Sequence, residues 1–266
     1  MTTSQLHILK HELQNICESV GLFIRTEMDK VTAEQIEEKE RNSLVSYVDK
    51  EAENRIVKAL RQLVPEAGYI TEEDATENTL KKKMWIIDPL DGTTNFLYKI
   101  PHFSTSIALA IDGEVVLGIV YDIMQKTAYT AIRGEGAWEN ERPISVKDNN
   151  DRQQAIVVTG FPYRRGDDIE PTMSLLRHCI LNYRGIRRLG SAALDLAYVA
   201  AGKIDIYYER TLNIWDLAAG ALLVEEAGGR VTDYWGKDDY LENGSIISSN
   251  KLLHPNILKA IQEHLN

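Results

Sequence analysis

The segment that decides the fold reads WIIDPLDGTTNF and runs from Trp85 to Phe96. Its first three residues are apolar, as expected of a buried strand. Pro89 then removes a backbone N–H and biases Asp88 toward an extended conformation. We therefore expect two carboxylates, Asp88 and Asp91, to lie together on a short stiff loop at the end of a strand.

The chemistry of this loop indicates a metal beside an anion. Two carboxylates and the Leu90 carbonyl between them supply the oxygen ligands that Mg²⁺ prefers. Gly92 allows the backbone to come close to a ligand. A short helix starting here would also present unpaired N–H groups to an anion. A phosphate ester bridging metal and backbone would suit both features.

Taken alone, the same letters fit a simple turn with an Asx cap. The rest of the chain favours the metal interpretation. Glu72, Glu73 and Asp74 also follow a short apolar stretch, GYI at 68–70. Acids from two strand ends would repel one another if they converged without a cation. Asp216 opens a strongly apolar helix, where by itself it could be only an N-cap.

Periodicity along the chain predicts mixed helices and strands in both halves. Helices are predicted at 4–30, 47–63, 173–182, 191–202, 215–229 and 254–265. Strands are predicted at 68–71, 84–88, 126–132, 155–160, 203–209 and 230–236, with a hairpin over 104–121 that turns at Asp112-Gly113. Residues 134–146 are turn-rich. The polar, unpatterned stretch 146–154 divides a single unit, 1–266, into possible subdomains 1–148 and 149–266.

Charge and cysteine content narrow the class of protein. Acidic residues outnumber basic ones 40 to 30 in this chain of 266, for a formal net charge of −10. Such a surface repels nucleic acid, so we expect no direct nucleic-acid partner. Cys17 and Cys179 lie in apolar, helix-patterned stretches and indicate reduced thiols in a cytoplasmic protein. We also expect no signal peptide and no membrane span.

Signatures of other hydrolytic chemistry are missing from the sequence. His7 and His11 have the i, i+4 spacing of a zinc site, but HILKH lacks the Glu of a zinc peptidase. The G-x-S-x-G of serine hydrolases and the G-x-x-x-x-G-K-[ST] phosphate loop do not occur.

Two long segments together resemble the signature motifs of the inositol monophosphatase family. They are WIIDPLDGTTNF at 85–96 and WDLAAGALLVEEAGG at 215–229. Members of this family are Mg²⁺-dependent, lithium-sensitive phosphatases. YITEED at 69–74 resembles a third family element, with Thr71 where glycine is usual. The resemblance covers essentially the whole chain. It implies an α/β (α+β) fold, a layered αβαβα sandwich of alternating helices and mixed sheets. It also implies a homodimer with its active site at the seam between the halves.

The resemblance assigns roles residue by residue. It implies that two or three Mg²⁺ ions are held by Glu72, Asp88, the Leu90 carbonyl, Asp91 and Asp216, with Asp49 a further candidate near a third ion. It implies that Glu72 and Thr93 activate water. The implied substrate-binding residues are Asp91, Gly92, Thr93, Ser191, Ala192 and Glu209, with Gly190 in the same loop. The implied reaction is hydrolysis of inositol-1-phosphate to inositol and phosphate by metal-activated water.

Two alternatives stay open. The same chemistry could serve another small phosphorylated substrate: fructose-1,6-bisphosphate, histidinol phosphate, adenosine 3′,5′-bisphosphate or NADP. Asn95 favours the monophosphatase branch, whereas a basic pocket would suit a second phosphate, and its candidates are Arg164, Arg165, Arg187 and Arg188. Some bacterial relatives also act as partners in transcription and ribosomal RNA maturation, so a non-catalytic role of that kind is the second alternative.

Overall fold

The computed structural model of the chain describes residues 1–32, 36–40, 43–73, 81–161 and 169–265. The helices among them are α1 (Thr3–Glu27), α2 (Tyr47–Leu63), α3 (Thr93–Leu97), α4 (Ile169–Asn182), α5 (Ala192–Ala200), α6 (Ile214–Glu226), α7 (Tyr240–Asn243) and α8 (His254–Leu265). The strands are β1 (Ile36–Glu40), β2 (Ser43–Ser46), β3 (Gly68–Thr71), β4 (Lys83–Asp91), β5 (Ser104–Ile111), β6 (Glu114–Asp122), β7 (Thr127–Ile132), β8 (Gly136–Glu139), β9 (Arg142–Ile144), β10 (Ile156–Thr159), β11 (Gly185–Arg187), β12 (Ile206–Glu209), β13 (Arg230–Thr232) and β14 (Ile246–Ser249).

These strands form two large mixed sheets and one small hairpin. The larger sheet has the order β3-β4-β5-β6-β7-β8-β9, in which only the β3–β4 pair is parallel. The second sheet has the order β11-β10-β12-β14-β13, and its parallel pairs are those of β10 with β11 and β12. β1 pairs only with β2.

Alternating side chains on β4 show how the layers are built. Trp85 and Ile87 pack with α1 and α2 on one face of the larger sheet. Met84 and Ile86 point the opposite way, because side chains alternate along a strand, and they pack with α5 and α6. α4 and α8 cover the far face of the second sheet. The predicted αβαβα sandwich of alternating helices and mixed sheets is confirmed.

The central helical layer lies unusually close to its neighbours. A Cβ at Gly118 on β6 would come within 3.0 Å of the Ala219 Cα on α6. A Cβ at Gly220 would lie 2.6 Å from the Leu196 Cβ on α5. Glycine at these two positions lets the middle of α6 approach both the larger sheet and α5.

Most predicted elements are confirmed, with two differences in the first half. Residues 134–146 are more regular than expected, since β8 and β9 form a hairpin there. The strand predicted to end at Asp88 continues to Asp91, with an irregular register against β5 between these two residues. The hairpin turn is as predicted, because Asp112 and Gly113 both have positive φ, at 50° and 88°.

The topology brings several chain ends to one edge. β3 and β4 run parallel, with Thr71 opposite Ile87, so the residues that follow each strand emerge side by side. α5 and α6 begin at the same edge, where Ser106 on β5 donates a hydrogen bond to the Trp215 carbonyl over 3.2 Å. Among the described residues, no helix has both the length and the apolarity needed to cross a membrane.

Candidate active site

Three acids from two distant parts of the chain meet at this edge. Ligand oxygens of Asp88, Asp91 and Asp216 all lie within 4.8 Å of one another. Asp88 and Asp91 come from the end of β4 and are buried, whereas Asp216 comes from the first turn of α6 and is half-buried. The family resemblance implied that these three acids share a metal site, and the structure brings them together.

The acids repel one another when all are ionised. Burial raises the pKa of Asp88 well above its usual range, and the charges of Glu72, Asp91 and Asp216 raise it further. Burial and the charge of Asp91 raise the pKa of Asp216 to about 7. Burial also raises the pKa of Asp91, although hydrogen bonds to its carboxylate oppose this. The cluster therefore needs protons or a cation to be stable.

Asp216 does not cap its helix in the way the sequence suggested. The N-cap of α6 is Asn213, and Asp216 is the third helical residue. Its Oδ2 accepts a hydrogen bond from the Asn213 N–H over 2.7 Å, as in a capping box. This contact fixes the carboxylate at the helix start while its other oxygen remains for the cluster.

Asp49 combines capping with a contact to the site. It is the third residue of α2, it is 1% exposed, and its Oδ2 accepts from the Ser46 N–H and hydroxyl. Its Oδ1 lies 3.0 Å from the Thr93 hydroxyl, which is also 3.1 Å from the Leu90 carbonyl. Asp49 therefore contacts Thr93 and does not belong to the cluster of three acids.

Asp91 joins the two halves of the chain. Its Oδ2 accepts a hydrogen bond from the Ser191 hydroxyl over 2.5 Å and from the Ala193 N–H over 2.8 Å. Ser191 is the N-cap of α5, and the Ala192 N–H also contributes to stabilising the ionised carboxylate. The first half therefore supplies the acceptor for the N–H groups that begin a helix of the second half.

A second connection lies beside it. The Asn95 side-chain amide donates to the His102 carbonyl over 2.7 Å and to the Leu189 carbonyl over 2.8 Å. Gly92, at φ 95°, passes so close that a Cβ there would come within 3.0 Å of the Gly190 carbonyl. The loop before α5 is thus fixed against the loop after β4.

Glu209, at the end of β12, is half-buried. Its Oε2 accepts a hydrogen bond from the Tyr207 hydroxyl over 2.7 Å. Burial raises its pKa to about 8, with a smaller contribution from Asp195, while the positive charge of Arg188 opposes the rise. This end of the site therefore carries a carboxyl group that holds its proton readily.

The structure describes most, but not all, of the predicted positions. Glu72 follows β3 directly and contacts Asp88 through a carboxyl hydrogen bond. The arginines that are described, Arg184, Arg187 and Arg188, are exposed, and they are called the basic rim below. Asp74, Arg164 and Arg165 lie outside the described residues.

Several residues that build the site were not singled out from the sequence. Glu53 is fully buried and its Oε2 accepts from the Glu73 N–H over 2.8 Å, which fixes the turn after Glu72. The sequence held one signal, because Glu53 lies four residues after Asp49 on the same face of α2. Nothing comparable marks Asp195, which lies 3.1 Å from the His102 Nε2 and is 93 residues away in sequence.

The sequence of the chain is similar to that of known proteins over almost its whole length. The family model described as "Inositol monophosphatase family" matches residues 5–266. The chain belongs to the inositol monophosphatase family. A similar protein is "Inositol-1-monophosphatase" of Mesorhizobium japonicum, 39% identical over 92% of this chain and 93% of the relative. Another is "Nus factor SuhB" of Pseudomonas aeruginosa, 40% identical over 93% of each.

Solved structures of the family have the same fold. The suhB extragenic suppressor protein of Bartonella henselae superposes with a TM-score of 0.91 at 35% identity, covering 96% of this chain and 99% of the other. The IMPase of Thermotoga maritima superposes with a TM-score of 0.86 at 33% identity, covering 94% and 95%. The site of this inositol monophosphatase family member therefore lies on a scaffold shared over almost its whole length.

The donors in the acidic cluster fit a hard divalent cation. Every candidate ligand is an oxygen, from a carboxylate or from the Leu90 backbone, and the cluster contains neither histidine nor cysteine. The mutual repulsion of Asp88, Asp91 and Asp216 is the second feature that a cation would relieve. The family is generally metal-dependent, and this chain retains an acidic site that can bind a metal.

Asp91 offers a test that separates metal binding from folding. Asp91→Asn keeps an oxygen for Ser191 and Ala193 but loses the charge, so we expect a folded protein without cation-induced stabilisation. Asp91→Ala loses both the charge and the hydrogen-bond acceptor. It leaves the Ser191 hydroxyl and the Ala193 N–H unpaired, which lowers the free energy of unfolding by about 1–3 kcal/mol for each unpaired group. Urea unfolding in EDTA and in Mg²⁺ measures both effects. Equal stability of the two variants in EDTA would contradict the bridging role.

The raised pKa values predict that cation binding depends on pH. In the cation-free protein Asp216 keeps its proton up to pH about 7, so the stability contributed by that proton is lost as pH rises through 7. Binding of a cation must release the Asp216 proton. For each proton released, we therefore expect the affinity for Mg²⁺ to fall about tenfold for every pH unit below 7.

Calorimetric titration of Mg²⁺ at pH 6 and pH 8, in buffers of different ionisation enthalpy, measures the affinity and the protons released. Asp112→Asn is the matched control, since it removes a carboxylate from an exposed turn at φ 50°. The same affinity at both pH values, without proton release, would contradict the assigned protonation.

Proposed function

We propose that the protein is a Mg²⁺-dependent phosphomonoesterase that hydrolyses inositol-1-phosphate to inositol and phosphate. The observation that carries the proposal is the convergence of Asp88, Asp91 and Asp216 beside the close backbone turn at Gly92. A cytoplasmic location and a homodimer belong to the same proposal. Membership of the family supports the reaction class, and the acidic cluster supports its dependence on metal.

Glu72, Asp88, Asp91, Asp216 and the Leu90 carbonyl would hold Mg²⁺. When bound, Mg²⁺ would offset the negative charge of phosphate and acids and lower the pKa of a water molecule. The chain itself fixes the acids from three directions, through β3, β4 and α6, so their positions are set before a ligand arrives. Such preorganisation is a large part of catalysis by charged groups.

We assign to Thr93 and Glu72 the orientation of the attacking water. The Thr93 hydroxyl can give its single proton to Asp49, which leaves its oxygen to accept a hydrogen bond from water. Glu72, whose turn is fixed through Glu53, supplies a carboxylate that can accept the water proton. The N–H groups of Gly92 and Thr93 are proposed as donors to the phosphate.

The charge around Glu209 favours an uncharged alcohol as the leaving group. Glu209 and Asp195 both carry raised pKa values, about 8 and about 6, and burial is the main cause for each. The ionised Asp195 would repel a second phosphate and the largely protonated Glu209 offers it no positive charge, whereas both carboxyl groups can form hydrogen bonds with the hydroxyls of a polyol. Arg188 is the opposing feature, because its positive charge at the rim lowers both pKa values.

A panel of phosphate esters tests the substrate. We expect phosphate release to depend on Mg²⁺, to stop in EDTA and to be fastest on inositol-1-phosphate. Fructose-1,6-bisphosphate, histidinol phosphate, adenosine 3′,5′-bisphosphate and NADP complete the panel. Asp88→Asn should lose activity and Asp112→Asn should retain it. Faster turnover of a bisphosphate would assign the rim charge of Arg188 to substrate binding and replace inositol-1-phosphate.

A partner role is the second candidate, and the names of relatives favour it. Several proteins about 40% identical to this chain carry the name "Nus factor SuhB". We propose that such a role in transcription or ribosomal RNA maturation would use the folded chain and not its chemistry. No direct contact with nucleic acid is proposed, given the net charge of −10.

Complementation separates the two candidates. Asp88→Asn, which removes charge from the cluster but keeps an oxygen for the Leu90 N–H, should rescue a deletion phenotype if the chain acts as a partner. It should fail if catalysis is the function that the cell needs. Protein abundance is measured in parallel, with Asp112→Asn as the rescuing control.

A further inference from the structure

Gly160, which follows β10, lies directly against the Glu209 carboxylate. A Cβ built at Gly160 would overlap all three carboxylate atoms, Cδ, Oε1 and Oε2. The cause is the strand register. β10 and β12 are parallel neighbours with Thr159 opposite Tyr208, so the next residue along each strand is Gly160 and Glu209.

Backbone conformation does not explain the glycine. Gly160 is not among the glycines with positive φ, so its conformation is one that alanine also adopts. Other glycines of the site, Gly92 and Gly190, do have positive φ, at 95° and 98°. What Gly160 provides is empty space at the point where the carboxylate rests.

Tyr207 contacts the same carboxylate. It is fully buried, and its hydroxyl donates to the Glu209 Oε2 over 2.7 Å. Tyr207 and Glu209 are two residues apart on β12, so both side chains lie on the same face of the sheet. The Glu209 carboxylate thus contacts the Tyr207 hydroxyl and lies against the Cα of Gly160. In the described part of the chain, no basic side chain forms a hydrogen bond with it.

We propose that Gly160 is a specificity-determining position, whose missing side chain lets Glu209 lie beside Tyr207 with its carboxylate turned toward the hydroxyls of the substrate. The inference rests on the proposed function, since it assigns Glu209 to the alcohol part of a phosphate ester. Gly160 and Tyr207 act through Glu209 and are positioning residues, with no contact to the phosphate.

Gly160→Ala tests the inference. The added methyl group must displace the carboxyl group, so we expect KM for inositol-1-phosphate at pH 7 to rise about 3- to 10-fold, the ratio that corresponds to losing a hydrogen bond between neutral groups. The effect on kcat should stay within about threefold, because the lost contact is remote from phosphorus and equal in ground and transition states. Gly185→Ala on the adjacent β11 is the matched control, since a Cβ there meets only the flexible end of Arg187, at 3.2 Å.

A double-mutant cycle distinguishes positioning from a general loss of packing. In a Glu209→Ala background the carboxylate is gone, so Gly160→Ala should change kcat/KM by less than about twofold. An equal loss in both backgrounds would overturn the inference, because Gly160 would then act without Glu209. So would an unchanged KM in Gly160→Ala.

A wild-type protein without phosphatase activity would contradict the proposed function, and this result differs from those that test Gly160. If the wild type hydrolyses no ester of the panel, the proposed function fails and the functional part of this inference fails with it. The geometric part has its own test, a crystal structure of Gly160→Ala. A carboxylate displaced from Tyr207 would support it, and an unmoved one would overturn it.

Discussion

The carboxylate of Asp91 is the contact on which the site depends. Its Oδ2 receives the Ser191 hydroxyl and the Ala193 N–H, while the same side chain belongs to the cluster with Asp88 and Asp216. One side chain thus anchors the first turn of α5 and contributes charge to the candidate metal site. Because hydrogen bonds to an ionised carboxylate are stronger than neutral ones, the join between the halves is tightest when Asp91 is charged.

Two further acids of the site, Asp49 and Asp216, are fixed by hydrogen bonds at the start of a helix. Asp49 and Asp216 are each the third residue of a helix, and each uses Oδ2 to accept an N–H from its N-cap residue. The cap removes the freedom of a short side chain, while Oδ1 of Asp49 accepts from the Thr93 hydroxyl and the Asp216 carboxyl contacts Asp88. An acid at this position is also favoured by the helix dipole. Local folding rules and the functional arrangement are therefore satisfied by the same atoms.

The parts that sequence could predict are those with local patterns. The DPLD segment and the apolar helix after Asp216 carry motif signals that indicated the acids, and the family resemblance of the same segments implied the layered sandwich. Contacts across the seam carry no such signal. Asn95 and Leu189 are 94 residues apart, and Gly160 looks like the end of an ordinary strand until β12 is placed beside it. The hairpin of β8 and β9 was missed because charged turn residues dominate it and its burial is partial.

Charge links the two ends of the site. Asp195 and Asp216 both raise the pKa of Glu209, after burial, so the protonation of Glu209 depends on the charge of the acidic cluster. Neutralising Asp216 removes one of these contributions, and the Glu209 carboxyl then ionises at lower pH. An ionised Glu209 accepts hydrogen bonds at both oxygens, and one of them is already used by Tyr207. At neutral pH the Glu209 carboxyl therefore gains its full capacity as an acceptor when the charge of Asp216 is balanced, so the protonation of one end of the site depends on the charge at the other.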